Sequence, residues 1–247
     1  MRLIKQLLYG LFFAGVLSLI GFGIYYTISY ESPSCSDNIK NQKEVDVDCG
    51  GPCIPCELKN LKVESSEVLA FALGERDTLI LLRISNPSEN YGSNLLEYNL
   101  EVFHKFGPRL TNLGGVTSLL PRAQKYIAMP LFNINSADVG RIDFTVTSPN
   151  WVPKDEVKPQ PEVNVINLNL NKSDAGATVS GEVVNIEAVA YEKLQIIVVG
   201  LNAEGIIVSA SILEPPTLEA FANLEFSIIL QGRDIVNINT AVEVPPR

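Results

Sequence analysis

TLILLRISNPSENYGSNLLEYNLEVFHKFGPRL, residues 78–110, decides how this chain folds. An apolar run ends in Asn86-Pro87, a second long run follows, and Gly107-Pro108 closes it. Short runs of this kind, cut by Asn, Pro and Gly, are the grammar of strands and not of a helix. The stretch ATVSGEVVNIEAVAYEKLQIIVVGLNAEGIIV, residues 177–208, repeats the plan with Asn185 and Gly205 at the two punctuation points. Asn86 to Asn185 spans 99 residues, Gly107 to Gly205 spans 98, and Pro121 to Pro216 adds a third marker at 95. Markers at a near-constant offset signal an internal duplication.

Working outward, the same reading predicts strands over 61–73, 78–85, 97–106, 116–119, 124–131 and 141–147. A second set is predicted over 162–170, 177–185, 193–202, 206–213, 224–230 and 236–242. The fold class is therefore mainly β, with two tandem antiparallel, immunoglobulin-like β-sandwiches over residues 59–150 and 162–247. Residues 151–161 form the linker between them, whose prolines favour an extended, semi-rigid spacer. Ile196-Ile197-Val198-Val199 and Ile228-Ile229-Leu230 are apolar at successive positions, as expected of central strands covered on both faces. Exposure of one such face would make a binding surface.

The N-terminus is different. Leu7 to Ile28 is an apolar run without a charged side chain, preceded by Arg2 and Lys5. At about 1.5 Å of rise per residue it reaches roughly 33 Å, enough to cross a bilayer as a single-pass anchor over residues 1–30. Basic residues on its N-terminal side place that end in the cytoplasm and the later domains outside the cytoplasm. A cleaved signal peptide would share the charged start, but the run exceeds the usual core of about 7–15 residues and no small-x-small site follows it. Gly10, Gly15, Gly21 and Gly23 form no G-x-x-x-G pair, so helix pairing through that motif is unsupported.

Between anchor and sandwiches, residues 31–58 hold all four cysteines: Cys35, Cys49, Cys53 and Cys56. So short and polar a segment cannot build an apolar core and needs staples. Outside the cytoplasm an even count favours two disulfides in a small neck. Three pairings are open; the interleaved one, Cys35–Cys53 with Cys49–Cys56, cross-ties the segment best. A four-thiolate zinc site would want paired C-x2-C spacings, which C-x13-C-x3-C-x2-C is not. Asp37, Asp46 and Asp48, with Asn38 and Glu44 nearby, offer hard oxygen ligands of the kind calcium takes, but acidic loop residues are usually only solvated and no metal is expected there. Cys53-Ile54-Pro55-Cys56 has the spacing of a thiol–disulfide couple, and a membrane-tethered oxidoreductase using Cys53 and Cys56 is the alternative to a binding protein.

These residues resemble a short extracellular cysteine motif written C-x-D-G-x-x-N-x-x-E-x-D-V-D-C-G-G-x-C-x-x-C. Cys35, Asp37, Asn41, Glu44, Asp46, Val47, Asp48, Cys49, Gly50, Gly51, Cys53 and Cys56 match it, with Asn38 where glycine is usual. The resemblance implies a surface-exposed mini-module without catalysis. Val183-Val184-Asn185, then Asn202 and Gly205, make the later domains similar to late-embryogenesis-abundant type 2 and bacterial F-x-L-Y-D-type modules. That likeness implies a seven-stranded sandwich used in interaction outside the cytoplasm. Anchor, cysteine module and two sandwiches together resemble single-pass surface proteins of bacteria.

Composition narrows the partners. Residues 161–247 carry four basic against eleven acidic side chains, and the net charge is −9. Such acidity disfavours nucleic acid and anionic headgroups. His104 is the only histidine, so no nucleophile–histidine pair with a choice of bases can be assembled. It reads as a strand residue, Trp151 as a domain-edge packer, and Asn171-Lys172-Ser173 as an exposed sequon. No cofactor is called for. The expectation is a non-enzymatic, membrane-anchored binding or structural protein with a protein partner outside the cytoplasm.

Overall fold

A computed structural model of the chain describes residues 2–29, 35–41, 43–174 and 176–246, without the side chains of residues 2, 3, 28 and 29. The expected end of the anchor, Ile28, is helical with its side chain outside the described set, and residues 31–34 of the neck lie outside it altogether. The chain divides into two compact units, one up to Asn60 and one from Leu61 onward.

In the first unit, α1 (Arg2–Ser29) contains the apolar span Ile4–Thr27, none of whose side chains is buried by protein. Apolar residues lie all round this helix, which is long and apolar enough to cross a membrane. The neck ends in a one-turn helix, α2 (Cys56–Asn60).

The second unit is all β. Its first repeat contains β1 (Glu64–Ser65), β2 (Leu69–Ala72), β3 (Thr78–Ser85), β4 (Tyr91–His104), β5 (Arg109–Leu119), β6 (Gln124–Leu131), β7 (Val139–Ser148) and β8 (Trp151–Pro153). The second contains β9 (Val163–Ser173), β10 (Gly176–Asn185), β11 (Gln195–Leu201), β12 (Ile207–Leu213), β13 (Asn223–Gln231) and β14 (Asn237–Glu243). Every pairing is antiparallel. In repeat one, β3 lies between β6 and the broken strand β1/β2, while β4 lies between β5 and β7/β8. In repeat two, β10 lies between β13 and β9, and β11 between β12 and β14. The two topologies correspond, with β1/β2 matching β9, β3 to β7 matching β10 to β14 in order, and β8 without a counterpart, in keeping with the duplication predicted from the markers.

Asn86 and Asn185 show the duplication atom by atom. Asn86 Nδ2 donates to Tyr91 O at 2.7 Å and Leu120 O at 3.0 Å, and its Oδ1 accepts from Ser88 N at 3.0 Å. Asn185 Nδ2 donates to Val189 O at 2.7 Å and Glu219 O at 2.9 Å, and its Oδ1 accepts from Glu187 N at 3.0 Å. Both amides are buried and satisfy carbonyls that leave a sheet, the accounting that buried backbone requires. Leu120 and Glu219 are thus equivalent, so Pro121 matches residue 220; Pro216 is not its counterpart.

Four sheets stack in four layers. Ile80, Leu82 and Ile84 of β3 pack against Leu96, Leu100 and Val102 of β4 in one core. Val179 and Val183 pack with Ile196, Val198, Phe226 and Ile228 in another. A third apolar layer joins the repeats: Leu79 and Leu81 on the far face of β3 meet Ile197 and Val199 on the far face of β11. Side chains alternate across a strand, so residues 79–82 of β3 and 196–199 of β11 are apolar at successive positions because each stretch is covered twice.

Four expectations change. Ile229 is 70% exposed on the outer face of β13, so β13, unlike β11, is covered on one side only. Residues 151–161 are not all spacer: Trp151–Pro153 pairs with Tyr91–Ser93, and a 3-10 turn, Lys154–Glu156, follows. The strand predicted over 61–73 breaks into β1 and β2. The second repeat has six strands among the described residues, not seven.

Candidate functional site

The neck is tied by Cys35–Cys53 and Cys49–Cys56, the interleaved pairing. Its carboxylates turn inward onto the chain's own backbone. Asp48 Oδ1 accepts from Asp37 N at 3.0 Å and Asn38 N at 3.1 Å. Glu44 Oε2 accepts from Asn41 N and Asp48 N, both at 3.2 Å. Asp37 accepts from Ile39 N and Asn41 Nδ2, each at 2.9 Å, and Asp46 Oδ1 from Val47 N at 2.8 Å. A segment with no strands or long helix leaves many N–H groups without partners, and here buried Glu44 and Asp48 supply the acceptors. The Ile39 N–H, and after it the Asn41 amide, hold the Asp37 carboxyl below its ordinary range. Asn38 has a φ of 61°, the left-handed conformation expected where the motif has glycine. Gly51 has a φ of 60°, and a Cβ there would lie 2.5 Å from Lys43 O.

Asp37 and Asp48 are therefore brought together, but as caps; Asp46 points at the N–H that follows it. The Cys35 and Cys53 sulfurs lie within 4.8 Å of a Glu44 oxygen, yet both are spent in one bridge and neither is a thiolate. Cys53 and Cys56 belong to different bridges, so the C-x-x-C spacing is not closed on itself as a redox couple of that spacing requires.

A second locus escaped sequence reasoning. Beside the apolar junction of the repeats is a groove of about 660 Å³. Five successive residues of β6, Tyr126 to Pro130, line it. Alternation allows a sheet face to show only every second residue, so β6 presents its edge. That edge is unpaired, because β6 pairs only with β3. The opposite wall carries Glu192, Gln195 and Glu214 from either end of the β11–β12 hairpin, and Glu243 closes the groove from the end of β14.

Tyr98 reaches this groove from β4 and is only 9% exposed. Its ring lies over Gly115, its partner on β5, where any Cβ would overlap the ring and hydroxyl. Glycine inside a strand weakens it, and here it makes room for the tyrosine. Burial, and then the Glu243 carboxylate, push the Tyr98 phenol up to about 12, so it remains a hydrogen-bond donor. Its hydroxyl makes no hydrogen bond among the described residues. Glu243 Oε1 accepts from Lys125 Nζ and Thr117 Oγ1, each at 2.7 Å, tying β14 of one repeat to β6 and β5 of the other.

The residues noted singly in the sequence stay apart from both loci. His104 ends β4; its Nδ1 accepts from Phe106 N at 3.1 Å, and its Nε2 lies 3.8 Å from Asp138. Trp151 is half-buried in β8 with its Nε1 unpartnered, opposite Ser93, whose hydroxyl is also buried and unpartnered. Asn171 is exposed near the end of β9. The groove left no local motif: its residues come from places up to about 150 positions apart, and Gly114-Gly115, just ahead of the strand predicted over 116–119 and inside the observed β5, was its one trace.

No protein-family model matches the chain, and no curated protein matches it. Among solved structures, red sea bream transglutaminase aligns over 74% of this chain and 31% of its own, at 10% identity and a TM-score of 0.27. A β-glucuronidase from glycoside hydrolase family 2 aligns over 87% of this chain and 27% of its own, at 10% identity and 0.26. The tandem CBM22-1–CBM22-2 domain of Paenibacillus barcinonensis Xyn10C aligns over 76% and 84%, at 10% identity and 0.18. The chain thus spans about a third or less of the first two, and likenesses this slight carry nothing about function.

Proposed function

We propose that this is a single-pass membrane protein that holds its oxidised neck and its paired sandwiches outside the cytoplasm and works by binding or spacing. The observation that carries the reading is the span Ile4–Thr27, apolar on every side and followed within one short segment by two disulfides. An apolar helix that no protein covers needs lipid, and disulfides need an oxidising compartment. Arg2 and Lys5 ahead of the span favour a cytoplasmic N-terminus. The four-layer stack is a rigid platform, and rigid platforms suit partner recognition better than chemistry that needs closing lids.

A C-terminal epitope tag tests the topology: antibody should reach it on intact cells. Staining only after permeabilisation would overturn the reading. A turnover abolished by one side-chain substitution in residues 61–246 would overturn its non-enzymatic part.

A further inference from the structure

Three features make the groove a built site. Its β6 edge carries unpaired backbone groups, its lining includes an unpartnered hydroxyl on a nine-tenths buried tyrosine, and a strand glycine makes room for that tyrosine. Its lining is biased: Glu192, Glu214 and Glu243 face a single lysine, Lys193. Lys125 already answers Glu243, and Glu192 and Glu214, the latter accepting from Gln195 Nε2 at 3.0 Å, outweigh Lys193 by one negative charge. The rest of the floor is apolar, from Ile127, Met129 and the ring of Tyr126.

We propose that the edge of β6 from Tyr126 to Pro130 is a docking edge for an extended, basic segment of a partner protein, which adds as a strand and turns Lys or Arg side chains toward Glu192 and Glu214. Strand addition gets its affinity from main-chain hydrogen bonds and its selectivity from the pockets beside the edge. The Tyr98 hydroxyl, held protonated, offers a donor to a carbonyl of such a segment. Complementary charge speeds encounter and rejects acidic segments. A nucleic acid or an anionic ligand would be repelled by the same carboxylates. The outer faces are more polar: Thr178, Ser180 and Glu182 on β10 flank the exposed Ile229, and Glu97, Asn99 and Glu101 line β4.

This deepens the binding role proposed above and rests on it. The test uses the full chain in detergent micelles and a fluorescein-labelled octapeptide of alternating lysine and threonine, read by anisotropy. Saturable one-to-one binding is expected, with the glutamate–threonine octapeptide at least about tenfold weaker. Glu192→Gln with Glu214→Gln, both exposed and safe for folding, should weaken the lysine peptide by about tenfold. Tyr98→Phe should weaken it less, and Glu225→Gln on the remote β13 should leave it unchanged. Equal affinity for both peptides, or equal loss with Glu225→Gln, would overturn the proposal. So would competition by arginine amide as effective as by the octapeptide, which would mean a small-cation site, or a dimer that the octapeptide does not dissociate. Failure here with the C-terminal tag still on the outside rejects the groove alone; a cytoplasmic tag with the peptide still bound rejects the location alone.

Discussion

Lys125 Nζ lies 2.7 Å from Glu243 Oε1, and this largely buried ion pair, 16% and 20% exposed, bridges the two repeats beside the groove that Glu243 lines. Lys125 also donates to Thr117 Oγ1 at 2.8 Å and Ser118 O at 3.0 Å, so three strands meet at one ammonium. Partial burial strengthens such a pair relative to a surface one, and truncating one partner strands the other. Lys125→Met is therefore expected to destabilise the chain by about 2 kcal/mol, and a double-mutant cycle with Glu243→Gln to show coupling of about 1–2 kcal/mol. Urea melts measure both; additivity would mean that the pair does not join the repeats.

Asn86→Ala and Asn185→Ala should cost alike, about 3 kcal/mol each, because each deletes the same three hydrogen bonds and leaves buried carbonyls bare. Denaturant midpoints of the two variants test it. A large loss at one site and none at the other would show that the duplicated networks do not bear equal weight.

Much of this was legible beforehand. The strands 78–85 and 124–131 were read to the residue, since Asn, Pro and Asp bracket them. The double burial of β11 was legible too, because IIVV leaves no polar face. What faced it was not: nothing local says that Leu79 and Leu81 belong with Ile197 and Val199, and the prolines of 149–161 argued for sandwiches held apart. β8 was hidden in those same prolines. Ile229 misled because one exposed isoleucine in an apolar strand looks the same in sequence as a buried one. The groove was illegible for a geometric reason: Tyr98, Lys125 and Glu243 converge only when the strands stack.

Gly115→Ala should cost about 2 kcal/mol, since its methyl would overlap the Tyr98 ring. In a Tyr98→Leu background the same substitution should be close to neutral, because the shorter side chain ends before reaching β5. Thermal melts of the four chains decide this. A full penalty in both backgrounds would place the glycine's role in the backbone instead.

The neck carries a pH signature whose sign follows from Asp37. Its carboxyl is depressed in the folded chain by the Ile39 N–H and the Asn41 amide. A depressed carboxyl contributes stability that is present above the ordinary aspartate value of about 3.9 and is lost as pH falls through the folded value. The neck should therefore loosen in acid while its disulfides stay intact. Amide exchange of Ile39 and Asn38 reports this directly: protection should fall below about pH 4 in the parent chain. In Asp37→Asn, which cannot lose a charge, protection should be lower at neutral pH and flat across the same range. Equal pH dependence in the two would shift the acid sensitivity to another carboxylate, and Glu44→Gln, which faces the N–H groups of Asn41 and Asp48, would be the variant that identifies it.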